Sequence, residues 1–183
     1  MEEIYNKIYD NVQDYDEMID YKIELINSEF EKFPKETKII DIGCGKGHYL
    51  KHLLSKGYND ILGVEFSKSC AEQHLKELPH VNADFIMYSQ TIEDKKYDMC
   101  LCMDVLEHIP YDKIETMVES ISRIGNNAVL GIANHSDIFM GEELHVIQEN
   151  SDWWEALLLK YFSSVEKIYQ RKSKFFVFRC VSK

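Results

Sequence analysis

The stretch from Ile39 to Gly47, Ile-Ile-Asp-Ile-Gly-Cys-Gly-Lys-Gly, constrains the fold more than any other part of this chain. Its apolar run contains Asp41 and is followed directly by three glycines at alternate positions, Gly43, Gly45 and Gly47. This order is typical of a buried strand and a tight turn at a helix N-terminus, where α/β proteins hold nucleotide-like ligands. The dinucleotide fingerprint needs a glycine where this chain has His48, so a nicotinamide dinucleotide is disfavoured.

Length and charge limit the possible classes of protein and partner. A chain of 183 residues has about the length of one domain and is long enough to bury a substantial core. Its formal net charge is −11 and its pI is about 5.1, which indicates an acidic, solvated surface. Because nucleic acids are held mainly through their phosphates, we expect no nucleic-acid partner.

The sequence gives no sign of export or of a membrane partner. No apolar run approaches the roughly 20 residues that a membrane-spanning helix needs. The N-terminus is acidic and lacks the apolar centre of a signal peptide. The five cysteines are an odd number without regular spacing, which favours a reducing compartment. We therefore expect a cytoplasmic protein.

Strand and helix patterns alternate along the chain, which is typical of a right-handed parallel α/β sheet. The expected strands cover 38–42, 60–65, 83–88, 97–103, 128–132, 165–169 and 175–181. The expected helices cover 5–33 with a break near 11–14, 47–56, 67–78, 112–124 and 151–161. The last two strands follow each other without a helix, which predicts an antiparallel hairpin at the C-terminus. The sequence thus predicts one α/β domain with a mostly parallel seven-stranded sheet and N-terminal helices.

An acidic residue, Glu65, ends the second strand pattern within the run Gly-Val-Glu-Phe at 63–66. A carboxylate at this place can accept hydrogen bonds from both hydroxyls of a ribose. The next residue, Phe66, either borders the adenine of such a ligand or packs in the core.

Two motifs resemble those of one enzyme family. The pattern Asp-x-Gly-x-Gly-x-Gly at 41–47 is similar to the first motif of the class I S-adenosylmethionine-dependent methyltransferases. Tyr-Asp at 97–98 and Asp-Val-Leu-Glu-His-Ile-Pro at 104–110 resemble a segment of many small-molecule methyltransferases. The resemblance implies a Rossmann-like, doubly wound methyltransferase domain over 1–183. Residues 1–34 would form a helical lid or cap, and 35–183 the core.

The resemblance also implies S-adenosylmethionine as the methyl donor and a set of residues that bind it. Asp84 would face the adenine amino group and Phe85 would pack on the ring, while Met103 to Val105 would lie beside the methionine part. The implied cofactor residues are Asp41, Gly43, Cys44, Gly45, Gly47, Glu65, Phe66, Asp84, Phe85, Met103, Asp104 and Val105.

Histidines near the fifth strand are the candidates for acid–base chemistry. In open α/β sheets, ligands bind beyond the carboxyl ends of the strands, where the segment from His135 to His145 begins. A histidine with a pKa near 6.5 can remove a proton at neutral pH, so His145 and His135 are candidate general bases, with His145 favoured. The alternative for either of them is a loop histidine hydrogen-bonded to backbone. The expected substrate-pocket residues are His108, Asn134 and Trp153.

Several motifs of other methyltransferase classes are absent from the sequence. The fourth strand pattern lacks the Asn/Asp-Pro-Pro-Tyr segment of enzymes that methylate amino groups of nucleic acids. The chain also lacks the Asp-Asp-Asn arrangement of the metal-dependent catechol type, and it shows no paired ligands at zinc-site spacing. We therefore expect no metal. Glu107 and His108 are expected to hold their loop.

The sequence therefore predicts transfer of a methyl group to a small polar metabolite. O-methylation of a sugar, sugar-nucleotide or related compound is favoured, and methylation of an amine or a carboxylate on another small molecule or protein is the alternative. Two other classes are kept as alternatives, namely a non-catalytic module that binds S-adenosylmethionine and an NAD-dependent oxidoreductase.

Overall fold

The computed structural model describes residues 2–12, 15 and 20–183. Within it the chain divides into two compact units, the first ending at Phe85 and the second covering Ile86–Lys183. No helix in the described part of the chain has the length and apolar character that crossing a membrane requires.

The elements alternate between strands and helices, as the sequence pattern predicted. The helices are α1 Glu2–Asn11, α2 Asp20–Phe30, α3 His48–Ser55, α4 Lys68–His74, α5 Phe85–Ser89, α6 Ile114–Ile124 and α7 Ser151–Tyr161. The strands are β1 Ile39–Ile42, β2 Ile61–Glu65, β3 His80–Asn82, β4 Tyr97–Met103, β5 Gly125–Ala133, β6 Ile138–Phe139, β7 Glu142–Glu143, β8 Phe162–Arg171 and β9 Phe175–Ser182. A 3-10 turn covers Leu106–His108.

In the first unit, three parallel strands bring their carboxyl ends to one edge. Strand β1 pairs with β2, with Ile39 opposite Ile61, and β2 pairs with β3, with Gly63 opposite His80. All four residues of β1 are buried, which explains why three of them are isoleucines. The glycine turn and Glu65 therefore follow neighbouring strands at the same edge.

In the second unit, β4 and β5 are parallel, whereas β9 runs antiparallel to β5, and β8 antiparallel to β9. Helix α6 has a stripe of buried residues at helical spacing along one face. These are Ile114, Met117, Val118, Ile121 and Ile124. The predicted fold class is confirmed, because the large sheet has seven strands and is mostly parallel with antiparallel C-terminal strands. The short hairpin of β6 and β7 was not predicted.

The predicted third strand over 83–88 was wrong. Strand β3 lies earlier, at His80–Asn82, and residues Phe85–Ser89 form the helix α5. The strand ends where both the Ala83 amide and the Asn82 side chain donate to the carbonyl oxygen of Glu65, at 3.0 and 2.8 Å. The apolar run that follows is too short for its periodicity to distinguish a strand from a helix.

The N-terminal segment forms two helices, with α1 ending at Asn11. The predicted break near 11–14 agrees with this end, although Asp14 lies outside the described residues. Helix α1 is fixed to the start of α4, since Asn6 Oδ1 accepts hydrogen bonds from Ser67 Oγ and from the Ser69 amide. The Tyr5 ring also meets Phe66 edge-on, at 5.3 Å between centroids. The division of the chain into lid and core stays a prediction.

Helix α7 begins with a side-chain cap that can be tested by substitution. Asn150 Oδ1 accepts hydrogen bonds from the amides of Asp152 and Trp153, at 3.0 and 2.9 Å. We expect Asn150→Ala to lower the free energy of unfolding by about 1 kcal/mol, and Asn150→Asp to retain it. Asn59→Ala, in an exposed turn, is the control. Denaturant unfolding measures all three, and equal losses for Asn150→Ala and Asn59→Ala would contradict the capping role.

Candidate active site

The glycine turn after β1 depends on backbone angles that suit glycine. Gly43, Gly45 and Gly47 have φ values of 68°, 51° and 73°, in the left-handed region where a Cβ atom is penalised. The turn is closed by the amides of Gly43 and Cys44, which donate to the carbonyl oxygen of Val64 at 2.8 and 3.1 Å. Its backbone therefore lies at the carboxyl edge of the strands, without side chains at its three glycines.

Glu65 lies beside this turn with its carboxylate fixed by backbone donors. The residue is 4% exposed. Its Oε2 accepts from the Gly45 amide at 3.0 Å, and its Oε1 accepts from the Ser67 amide at 2.7 Å. Each carboxylate oxygen has lone pairs for more than one donor, so this geometry leaves room for a ligand hydroxyl to bind as well.

The other predicted cofactor residues of the first unit differ in exposure. Asp41 and Cys44 are buried, and Phe66 is half-buried. Asp84 is exposed and lies between β3 and α5, and Phe85 is the buried first residue of α5. The structure thus places Asp84 and Phe85 after the third strand instead of within it.

In the second unit, the predicted residues Met103, Asp104 and Val105 follow directly on β4. Met103 is buried, and the amide of Asp104 donates to the carbonyl oxygen of Gly131 at 2.9 Å. Asp104 has a φ of 56°, which is uncommon for a residue with a side chain. Backbone strain of this kind concentrates at functional sites.

Glu107 ties together the segments that follow β4 and β5, as the expected loop-holding role requires. The residue is fully buried, and its Oε1 accepts a hydrogen bond from the Ala133 amide at 2.8 Å. Its carbonyl oxygen accepts one from the Ile147 amide at 3.0 Å. The 3-10 turn is thereby fixed to the end of β5 and to the chain just before α7.

His108, His135 and His145 form what we call the histidine cluster. The ring of His145 lies 4.6 Å from that of His108 and 4.8 Å from that of His135, centroid to centroid. His108 and His145 are buried, whereas His135 is exposed. The structure thus brings together both histidines predicted as bases and one histidine predicted to border the substrate.

Both buried histidines direct Nδ1 to a backbone carbonyl oxygen. His108 Nδ1 lies 3.0 Å from the carbonyl oxygen of Leu144, and His145 Nδ1 lies 2.6 Å from that of His135. Because a carbonyl oxygen only accepts, Nδ1 carries the hydrogen in the neutral His145 ring, and its lone pair is on Nε2. The His108 ring also hydrogen-bonds to the Asp104 backbone, so either of its nitrogens can carry the hydrogen.

Burial keeps both rings neutral. Desolvation, with a smaller contribution from the neighbouring His145, lowers the pKa of His108 to about 3, against hydrogen bonds to the backbone of Leu144 and Asp104. Desolvation also lowers the pKa of His145, although its hydrogen bond to His135 and the nearby Asp137 carboxylate oppose the shift. Both rings are uncharged at neutral pH.

Glu143 organises the loop that carries His145. Its Oε2 accepts from Ser136 Oγ at 2.5 Å, and its Oε1 accepts from the amides of Asp137 and His145 at 2.8 and 3.0 Å. These hydrogen bonds, that of Ser136 above all, lower the pKa of Glu143 to about 2. Sequence reasoning missed Glu143 and Asp137, because no motif distinguishes them from other acidic loop residues.

The two remaining predicted pocket residues make local contacts. Asn134 Nδ2 donates to the carbonyl oxygen of Ser173 at 2.9 Å, which joins the end of β5 to the turn before β9. Trp153 is half-buried and meets the rings of Tyr111 and Trp154 edge-on, whereas Trp154 is fully buried in the core. Whether Asn134 and Trp153 contact a substrate stays a prediction.

Comparison with known proteins shows the family. A family model described as a methyltransferase domain matches residues 15–166 of this chain. The chain therefore belongs to the methyltransferase-domain family, which confirms the resemblance inferred from the glycine turn and the segment 104–110.

Curated relatives share part of the chain. The ubiquinone biosynthesis O-methyltransferase of Rickettsia bellii is 29% identical over 110 residues, covering 58% of this chain and 45% of the relative. That of Rickettsia prowazekii is 35% identical over 96 residues, covering 50% and 37%. The chain thus spans less than half the length of these relatives.

Solved structures share the fold along nearly the whole chain. A TehB-like S-adenosylmethionine-dependent methyltransferase from Corynebacterium glutamicum has a TM-score of 0.67 at 22% identity, covering 100% of this chain and 98% of that one. The magnesium protoporphyrin IX methyltransferase of Synechocystis, solved with bound S-adenosylmethionine, has a TM-score of 0.68 at 14% identity, covering 100% and 97%. These neighbours confirm the Rossmann-like methyltransferase fold.

The role of Glu143 in ordering the loop can be tested directly. We expect Glu143→Gln to speed hydrogen exchange at the amides of Asp137 and His145 several-fold, because an amide accepts more weakly than a carboxylate. Glu142→Gln, its exposed neighbour in β7, is the matched control. Unchanged exchange in Glu143→Gln would contradict the role.

Proposed function

We propose that this protein is an S-adenosylmethionine-dependent O-methyltransferase that acts on a hydroxyl group of a small polar metabolite. The observation that carries the proposal is the histidine cluster, with two buried and neutral rings: His108 in the 3-10 turn after β4 and His145 between β7 and α7. Hydroxyl acceptors need help to lose a proton, whereas neutral amines do not.

The residues of the first unit fit S-adenosylmethionine. The left-handed Gly43 and Gly45 have no Cβ atom that would hinder the close approach of a ligand, and the buried Glu65 carboxylate lies beside them. Glu65 and the turn at 43–47 would hold the adenosine part. When bound, the cofactor supplies a methyl group on a positively charged sulfur. The remaining predicted cofactor residues stay proposals of the same kind: Asp41, Phe66, Asp84, Phe85, Met103, Asp104 and Val105.

The proposed reaction balances without a redox partner. A lone pair of the acceptor oxygen forms the new oxygen–carbon bond while the carbon–sulfur bond breaks. The electron pair of that bond returns to sulfur and leaves S-adenosylhomocysteine, and the hydroxyl proton passes to solvent. The chain contributes mainly by aligning the two reacting groups and by helping the proton to leave.

The curated relatives support oxygen as the methylated atom, because those compared above are named as O-methyltransferases. A sugar hydroxyl and an aromatic hydroxyl share this chemistry. The class of acceptor is identified by incubating the protein with S-adenosylmethionine and separate pools of sugars, sugar-nucleotides and dihydroxyaromatic compounds. The pool in which S-adenosylhomocysteine forms contains the acceptor. Formation with amines alone, or binding of the cofactor without product in any pool, would contradict the proposal.

Glu65 gives a test of cofactor binding. We expect Glu65→Gln to weaken S-adenosylmethionine binding at least about tenfold, because the amide loses a charged acceptor for the ribose hydroxyls and for the turn. Isothermal titration calorimetry measures the affinity. Glu72→Gln, on the exposed face of α4, is the control and should bind like the wild type. Equal affinities for Glu65→Gln and wild type would contradict the assignment.

His145 gives a test of the acceptor side. We expect His145→Ala to lower kcat about 100-fold or more, since help with proton loss contributes roughly 10²–10⁴-fold in enzymes. Cofactor affinity should stay unchanged. His80→Ala, a half-buried histidine in β3, is the matched control. Near-normal turnover of His145→Ala at saturating acceptor would contradict the role.

A further inference from the structure

Three buried side chains of the second unit bring metal-ligating atoms together. Glu107, His108 and His145 each offer one such atom, and these atoms lie within 4.8 Å of one another. All three residues are buried. Glu107 and His108 lie in the 3-10 turn, and His145 lies between β7 and α7. A carboxylate and two imidazoles form a common donor set for a divalent transition metal.

The hydrogen bonds around the cluster orient its ligands in the way metal sites need. His145 directs Nδ1 to the carbonyl oxygen of His135, which places its lone pair on Nε2, and His108 directs Nδ1 to the carbonyl oxygen of Leu144. Metal-ligating histidines usually have this arrangement, because the hydrogen bond fixes both tautomer and ring orientation. Glu107 is likewise held by a backbone donor, since its Oε1 accepts from the Ala133 amide.

We propose that Glu107, His108 and His145 bind one divalent transition-metal ion of the Zn²⁺, Mn²⁺ or Co²⁺ type. This departs from the sequence expectation of no metal, which rested on short ligand spacings and on motifs of other enzymes. His145 comes from a distant part of the chain, so no local pattern predicts the site. The proposal makes His145 a ligand instead of a general base.

Charge and distance are compatible with a bound ion. One carboxylate and two neutral imidazoles leave a net charge of −1, and Asp137 Oδ2 lies 3.8 Å from His145 Nε2. A dication compensates this negative charge. Ligands about 2.1 Å from a tetrahedral ion lie about 3.4 Å apart, so binding draws the side chains together by no more than about 1.5 Å. The ion would replace the contact of His108 with the Asp104 backbone.

A metal ion at this site would take part in the proposed O-methylation, so its catalytic role rests on the proposed function. Three protein ligands leave a further position for water or substrate, as catalytic metal sites do. A divalent ion held by these three residues would lower the pKa of an acceptor hydroxyl bound at that position, and so would help its proton to pass to water before the oxygen takes the methyl group. This gives the buried cluster a role in hydroxyl activation that requires no proton transfer to a histidine.

Metal titration of the full chain tests the site. After treatment with a chelator, the protein is titrated with Co²⁺ and followed by visible absorption, and with Zn²⁺ and Mn²⁺ by calorimetry. We expect one ion per chain with a Kd below roughly 10 μM. Glu107→Gln and His145→Asn should each weaken binding at least about tenfold. His80→Asn is the matched control and should bind like the wild type.

Other outcomes overturn the site. Absence of binding, or binding that Glu107→Gln and His145→Asn leave unchanged, excludes it. Circular dichroism and S-adenosylmethionine binding check the fold of each variant. If a variant does not fold, X-ray absorption of the cobalt-loaded wild type decides, with two imidazole ligands expected and none contradicting the site.

The failure of this site and that of the proposed function can be told apart. Ion binding at the cluster with no methylation of any hydroxyl pool overturns the function and leaves the site. Absence of ion binding in the titration, together with hydroxyl methylation by the same metal-free protein, overturns the site and leaves the function.

Discussion

The turn between β1 and α3 depends on one buried carboxylate. Glu65 accepts hydrogen bonds from the Gly45 amide and from the Ser67 amide, so the end of β2 fixes the glycine turn and the start of α4 together. Three left-handed glycines at alternate positions have many unfolded conformations, and a turn that contains them is ordered only if other groups hold it. Glu65, which holds the turn, is also the residue proposed to bind the ribose. One side chain would therefore both order the glycine turn and bind the cofactor.

The second unit has its own buried carboxylate in a comparable position. Glu107 joins the 3-10 turn to the amide that ends β5, and Glu143 orders the loop that brings His145 back to it. Both carboxylates accept hydrogen bonds from backbone amides, and these bonds hold the segments that carry the histidine cluster. A cluster assembled this way keeps two neutral rings buried side by side, and the hydrogen bonds of their Nδ1 atoms to backbone carbonyl oxygens offset the cost of that burial.

Sequence predicted the parts of this molecule that local patterns determine. The apolar run of β4 has the same bounds in sequence and structure, 97–103, because a buried parallel strand is apolar on both faces. The prediction of the third strand over 83–88 was wrong, since a short apolar run around Phe85 suits either element, and the chain enters α5 at Phe85. The grouping of His145 with Glu107 was beyond prediction from spacing, because it depends on a hydrogen-bonded loop between distant segments.

The central claim is that the chain moves a methyl group from S-adenosylmethionine to oxygen. Its most direct test uses S-adenosylmethionine with an isotopically labelled methyl group and nuclear magnetic resonance of the product. The account predicts that the label appears in a methoxy group, together with an equal amount of S-adenosylhomocysteine. Label on nitrogen or carbon, or cofactor that binds and is never consumed, would contradict it.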